Sequence, residues 1–267
     1  MPLADSLVAH WRLDSTAWED IVGSHNLTPT GSPSAVAGQI CNAVSITSNA
    51  QKLTAADAPD LEASTSFSLA GWVNLRSKNA LSSFIVCKTN QANGGREYQW
   101  WYQFGTDTLS FSLFENGLAS SARVEYNNLG SPPLNTWIFV AAGYDVPNSK
   151  IWMKVNSLAR MEVAVTTPPI ATSTPLTIGN AGGGAQTSWL DGMVDSVSFW
   201  WGRVLSNADC DRLYANGNGL GYPFDIYGHE ALAARANNRR RDLEALQRDD
   251  EETIEAVLQA FTHLVCR

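Results

Sequence analysis

The chain has 267 residues, 44% of them hydrophobic, with 18 Lys+Arg against 26 Asp+Glu and a net charge of −8. That length can bury a sizeable core in one large β domain or two smaller ones. The acidic balance excludes a nucleic-acid-binding surface on the bulk of the protein, and no apolar run approaches the ~20 residues of a bilayer span, which excludes membrane insertion by a helix.

The start, "MPLADSLVAHW", has neither a basic n-region nor an apolar h-region, so no secretory signal is expected in it. From there, short alternating segments recur. "LVAHWRL", "FSLAGWVNL", "EYQWWYQF", "TLSFSLF", "TWIFVAAGY", "KIWMKV" and "DSVSFWW" carry strand-type residues. "NGG", "ENG", "GSPPLN" and "VPNS" lie between them and have turn composition. Asn156-Ser157 reads as the turn of a hairpin. Many strands with almost no helix predict a two-sheet sandwich or a barrel. Trp72, Trp100, Trp137 and Trp152 each sit in an alternating apolar run and are expected in the interior.

The densest aromatic stretch is "REYQWWYQF", Arg96 to Phe104. Alternation puts Tyr98, Trp100, Tyr102 and Phe104 on one face, which reads as core. Gln99, Trp101 and Gln103 fall on the other face. An indole between two amides suits a sugar ring and its hydroxyls, which makes these three the candidate ligand-binding residues. Packing of Trp101 under a loop such as "TNQANGGR" is the competing expectation.

Four cysteines stand at 41, 87, 210 and 266, with no CxxC spacing. Cys87 in an apolar run and Cys210 in a helix read as buried, inert thiols, and a reducing compartment is expected. The helix is "LSNADCDRLYANG". Ser206 and Asp209 form a capping-box pattern, Leu205 can staple to Cys210, and Gly217 is expected to end it.

Composition changes near Gly228. Residues 1–227 hold all ten tryptophans, whereas residues 228–267 hold 14 charges in 40 positions, no proline and one glycine. A β-rich body followed by a helical tail is the expectation. In the tail, Ile254, Val257, Leu258, Phe261, Leu264 and Val265 form one apolar stripe at helical spacing. Leu232, Ala236, Leu243 and Leu246 form another, offset across Asp249-Asp250, so two helices with a break are predicted. Arg239–Arg241 have acidic neighbours and read as a salt-bridging face. The Ile254–Val265 stripe needs a partner, and self-association or docking on another protein of an assembly is the expected use.

Taken in order, "LVAHWRLDSTAWEDIVGSHNLT", "SFSLAGWVNL", "NTWIFVAAGYD" and "LTIGN…WLDGMVDSVSFWWGRVLSNADCDRLYANGNG" resemble the laminin G-like branch of the concanavalin A-like lectin/glucanase superfamily, over roughly residues 6–222. The resemblance implies an all-β fold, an antiparallel two-sheet jelly-roll-like sandwich, here with a C-terminal α-helical tail. It also implies a calcium ion near one end of the sandwich. Matched residue by residue, the ligands would be Asp20, a carbonyl between Gly23 and His25, and Asp195. The stretch "IVGSH" departs from the family's small polar loop at that place. An Asp20 that caps a turn and an Asp195 that faces solvent are the alternative.

Glucan-cleaving members of the superfamily resemble one another in an E-x-D-x-E or E-x-D-x-x-E strand, whose alternation brings two carboxylates together. No such run occurs here; Glu97, Glu115, Glu125 and Glu162 each stand alone at even spacing. No G-x-S-x-G, H-E-x-x-H or phosphate-binding glycine loop occurs, and the four histidines have no catalytic or metal-ligand spacing. A non-enzymatic binding module is therefore expected. Its setting would be a virion surface, as a capsid decoration, head fibre or tail fibre component attaching to a glycan or host-surface ligand. A bacterial carbohydrate-binding adhesin, extracellular, is the alternative, and a polysaccharide-cleaving enzyme the second.

Overall fold

In the computed structural model the described residues are 1–90, 94–115, 119–181 and 188–224. The strands begin with β1 (Leu7–Trp11), β2 (Thr28–Thr30), β3 (Ser34–Ala37), β4 (Asn42–Ile46) and β5 (Lys52–Ala55). There follow β6 (Phe67–Leu75), β7 (Ser83–Asn90), β8 (Gly95–Gln103), β9 (Thr108–Glu115) and β10 (Ala119–Glu125). β11 (Trp137–Asp145), β12 (Lys150–Val155), β13 (Met161–Ala164), β14 (Leu176–Ile178) and β15 (Gly192–Trp201) precede the one α-helix of the described residues, α1 (Asn207–Tyr214).

The strands form two antiparallel sheets. One has eight strands, ordered β13-β12-β11-β6-β15-β4-β3 with β1 also paired to β15; the other has seven, ordered β10-β9-β8-β7-β14-β5-β2. Alternation explains the core between them. Phe67, Leu69, Val73 and Leu75 of β6 face Tyr98, Trp100 and Tyr102 of β8 and Leu109, Phe111 and Leu113 of β9, all buried. Phe67 stacks on Phe199 with centroids 5.3 Å apart. The sandwich expected from the sequence is the fold observed.

The eight-stranded sheet is buried on its outer side too, and every residue of β6 is buried. Trp72 stacks on Tyr214 of α1 at 5.8 Å, and Ser68 Oγ both donates to the Arg203 carbonyl and accepts from Leu205 N–H. Trp72 and Trp152 are buried as expected, Trp72 under Tyr214 of α1 and Trp152 under the Arg160 guanidinium at 3.8 Å; Trp100 lies between the sheets. Trp137 opens β11 and is only half-buried. Phe104 is 47% exposed because β8 ends at Gln103, so three of the four rings expected on the core face reach it.

Two turns differ from expectation. β12 and β13 pair as a hairpin, but through residues 156–160, with Asn156 at positive φ. α1 has the full Ser206/Asp209 capping box, yet it ends at Ala215 in the left-handed region, before Gly217. Cys87 and Cys210 are buried free thiols as expected, with burial pushing them up to about 12 and about 11.

The chain divides into two compact units, Met1–Gly221 and Tyr222–Arg267. The sandwich is the first. The tail stripe from Ile254 to Val265, the Arg239–Arg241 trio and both tail helices lie outside the described residues.

Candidate functional site

The outer face of the seven-stranded sheet is the other broad surface. Among the described residues no helix packs on it. Register sets a polar row across the sheet: Thr28 pairs with Thr54, Thr54 with Thr177, Thr177 with Cys87, Cys87 with Gln99, Gln99 with Ser112, and Ser112 with Arg123. One pleat along, Trp101 pairs with Ser110 on one side and Phe84 on the other. Gln99, Trp101 and Gln103 therefore share this face, as their spacing requires.

Their side chains differ in what they can offer. Gln99 is buried and its Nε2 donates to Thr89 Oγ1 at 3.1 Å, so it supports the sheet surface from beneath. Trp101 is half-buried; its Nε1 donates to Ser112 Oγ at 3.2 Å, and its ring lies 6.2 Å from Phe84 at 24°. Gln103 is half-buried, and its Oε1 accepts from Ser110 Oγ at 3.4 Å.

A fourth residue completes the group. The Arg123 guanidinium lies 5.2 Å from the Trp101 ring centroid, reaching across β9 over the small side chain of Ser112. Glu125 accompanies it on the same side of β10, with Oε1 3.6 Å from Arg123 Nη1. Indole, guanidinium, carboxylate and amide thus meet on one partly exposed patch beside buried neighbours such as Ser110 and Ser112, which provides an apolar plane with donors and acceptors around it. Sequence reasoning missed Arg123, Glu125 and Phe84. The alternation in "ARVE", with Ala122 and Val124 turned inward, was the signal available for the first two.

The residues matched to a calcium site lie in two settings: Asp20 and the 20–25 loop bridge to β1 at Trp11, and Asp195 lies in β15. Asp20 accepts four backbone N–H groups: His10, Val22 and Gly23 on Oδ1 and His25 on Oδ2, at 3.0–3.1 Å. Its carboxylate folds the 20–25 loop onto β1, and a Cβ at Gly23 would meet Asp20 Oδ2 at 2.9 Å. The His25 carbonyl accepts from Trp11 Nε1 at 2.6 Å, and the His25 ring lies against Asp60.

Asp195 is arranged differently. β15 pairs with β4 through Gly192–Val194 and with β1 from Val197 onward; Asp195 sits at the bulge between. Its Oδ2 accepts from Gln39 and Ile40 N–H at 2.8 and 2.7 Å, pinning the turn between β3 and β4. Its Oδ1 is buried and has no hydrogen-bond partner among the described residues. Burial pushes this carboxyl well above the usual carboxylate range; the Ile40 and Gln39 amides pull it back, and the Asp14 carboxylate adds to the rise. An orphaned buried carboxylate oxygen beside a second acid fits a hard cation. The residues that fit are Asp195 and Asp14, a residue the sequence reading passed over, while the Asp20 oxygens are occupied by amides. Among the described residues no three His, Cys, Asp or Glu side chains gather as a metal centre.

No curated protein matches the chain. Among solved structures it is similar to domain 4 of a GH43 extracellular arabinanase from Geobacillus stearothermophilus, solved with arabinotriose: 15% identity, TM-score 0.58, covering 77% of this chain and 96% of that one. It is also similar to the binding domain of Paraclostridial Mosquitocidal Protein 1, at 12% identity and TM-score 0.64, covering 79% of this chain and 52% of that one. A third likeness is the botulinum neurotoxin serotype D ligand-binding domain in complex with N-acetylneuraminic acid, at 14% identity and TM-score 0.60, covering 79% and 51%. The chain spans about half the length of these two toxin domains, and the likenesses are of fold. In sequence, the Laminin_G_3 family, described as the concanavalin A-like lectin/glucanases superfamily, matches residues 47–211. With that match over most of a two-sheet sandwich, the chain belongs to the laminin G-like family of the concanavalin A-like lectin/glucanase superfamily.

Proposed function

We propose that this protein is a non-enzymatic glycan-binding module whose site is the Trp101 patch on the outer face of the seven-stranded sheet. The observation that carries this reading is the Arg123 guanidinium over the Trp101 indole on a face that bears no helix among the described residues. The solved domains of like fold held with arabinotriose and with N-acetylneuraminic acid support a sugar as the ligand class. The partial exposure of Trp101, Gln103, Arg123 and Glu125, beside the buried Gln99, Ser110 and Ser112, supports the choice of this patch.

Catalysis is disfavoured by the carboxylates available. Glu125 is paired with Arg123, and Glu97 is buried against Lys88. Glu97 shares the Lys88 ammonium with Asp57, but its oxygens are taken up by Lys88, Thr172 and Ala63, which leaves none to act on a substrate.

The setting we infer is a virion surface, with residues 228–267 as the element that joins the assembly; the shift in composition at Gly228 supports an appended anchor. The cofactor we infer is calcium held through Asp195 Oδ1 with Asp14, where it would tie β15 to the chain following β1. Detection of the chain in purified particles tests the setting. A glycan array probed with the chain and with Trp101→Ala tests the function: the chain binds a defined set of glycans and the variant loses about tenfold or more, as expected when a stacking plane is removed. Absence of binding to any glycan, or equal binding by the variant, overturns the reading.

A further inference from the structure

The Trp101 patch contains one ion pair, and its position sets the charge of any ligand. Arg123 and Glu125 are neighbours on the same face of β10, each about one-third exposed in its side chain, with Nη1 and Oε1 3.6 Å apart. The guanidinium is also held against the Trp101 ring, 5.2 Å from its centroid. Arg123 is thus fixed by its neighbours before any ligand arrives.

Resting on the glycan-binding reading of this patch, we infer that the site takes neutral sugars bearing vicinal hydroxyls and discriminates against sialylated or uronate-bearing ones, with Glu125 the residue that sets this choice. A hydroxyl is both donor and acceptor, so two adjacent hydroxyls can give to the Glu125 carboxylate and receive from the Arg123 guanidinium together. The Gln103 amide lies on the same face of β8 as Trp101 and accepts from Ser110 through its Oε1. A sugar carboxylate meets a different situation. The positive charge it seeks is already matched, and Glu125 stands beside the place it must occupy. Like charges at such spacing near a surface cost on the order of tenfold in affinity. The indole edge and the flat guanidinium provide the plane for the C–H face of the ring, a contact that carries no charge requirement.

The test is an array holding neutral oligosaccharides and their sialylated or uronate-bearing counterparts, followed by calorimetry on the best neutral glycan and its acidic counterpart. The expected result is neutral binding that changes less than twofold between about 0.05 and about 0.5 M salt, since no net charge is neutralised. Glu125→Gln should weaken the neutral glycan by about tenfold, the loss of a charge-assisted acceptor, and narrow the gap to the acidic counterpart by a similar factor. Arg123→Ala weakens both. Preferential, salt-sensitive binding of acidic glycans that Trp101→Ala abolishes overturns this inference and leaves the glycan reading standing. Glu125→Gln that leaves neutral binding intact also overturns it. Failure to bind any glycan removes both. Circular dichroism of each variant establishes that the sandwich is folded.

Discussion

The Lys88 ammonium donates to Glu97 Oε1 at 2.5 Å inside the sandwich, with neither side chain exposed. The same ammonium donates to Asp57 Oδ1 and to the Thr172 carbonyl, both at 2.7 Å. Glu97 accepts in turn from Thr172 N–H and Oγ1–H on Oε1 and from Ala63 N–H on Oε2. One buried pair therefore clips two connections, before β6 and before β14, to the body of the seven-stranded sheet.

Removal of one member should be far worse than removal of both. Lys88→Met leaves the Glu97 charge in a dry site and is expected to cost about 3–5 kcal/mol, whereas Lys88→Met with Glu97→Leu should recover much of that loss. Chemical denaturation of the two variants and the parent measures the difference. Equal stability of single and double variants would show that the pair makes no such demand.

His10 makes the fold acid-sensitive. Its ring is buried, with Nδ1 2.7 Å from Ser198 Oγ, and burial pulls it down to about 3, aided by Arg12 and opposed by Asp20. In the unfolded chain it titrates near 6.5. The unfolded state thus holds the extra proton between about pH 6.5 and about pH 3, so this contribution to stability is present above that window and lost as pH falls through it. The full effect is on the order of 5 kcal/mol. The melting temperature should fall across this window in the parent and fall less steeply in His10→Gln.

Asp20 and Asp195 should respond differently to calcium. Asp20→Ala removes the acceptor of four amides and should cost about 2–4 kcal/mol with or without the ion. Calcium should raise the melting temperature of the parent by mass action, and Asp195→Asn should abolish that increment. The decisive readout is the increment, measured against chelator: its persistence in Asp195→Asn, or its absence in the parent, contradicts the assignment.

A chain ending at Tyr227 retains the whole sandwich and α1. It is expected to fold with an unchanged melting temperature and to run as a monomer, because the Ile254–Val265 stripe is gone. Size-exclusion chromatography with light scattering checks this against the full chain, for which self-association is expected. A full chain that runs as a monomer contradicts the assembly role assigned to the tail.

The sequence by itself determined what depends on near neighbours. A period of two residues marked the strands and divided β8 into a ring-bearing face and a Gln99–Trp101–Gln103 face, because successive side chains of a strand must point oppositely. The Ser206/Asp209 box marked the start of α1, because its bonds span only three residues. The order of these segments sufficed for the family.

The tertiary structure decided everything that depends on which surface meets which. Periodicity makes two faces of a strand but does not say whether the second is covered. Trp72 and Trp101 are alike in sequence context, yet one lies under Tyr214 and the other faces outward beside Arg123. Likewise Asp20 and Asp195 are both acids near strand ends. Asp20 is consumed by amides within 10 residues of it, and Asp195 receives its partners from about 155 residues away, leaving one oxygen unmatched. A carboxylate's role is set by the donors the fold delivers to it, and those donors come from strands that sheet pairing, not chain order, makes neighbours.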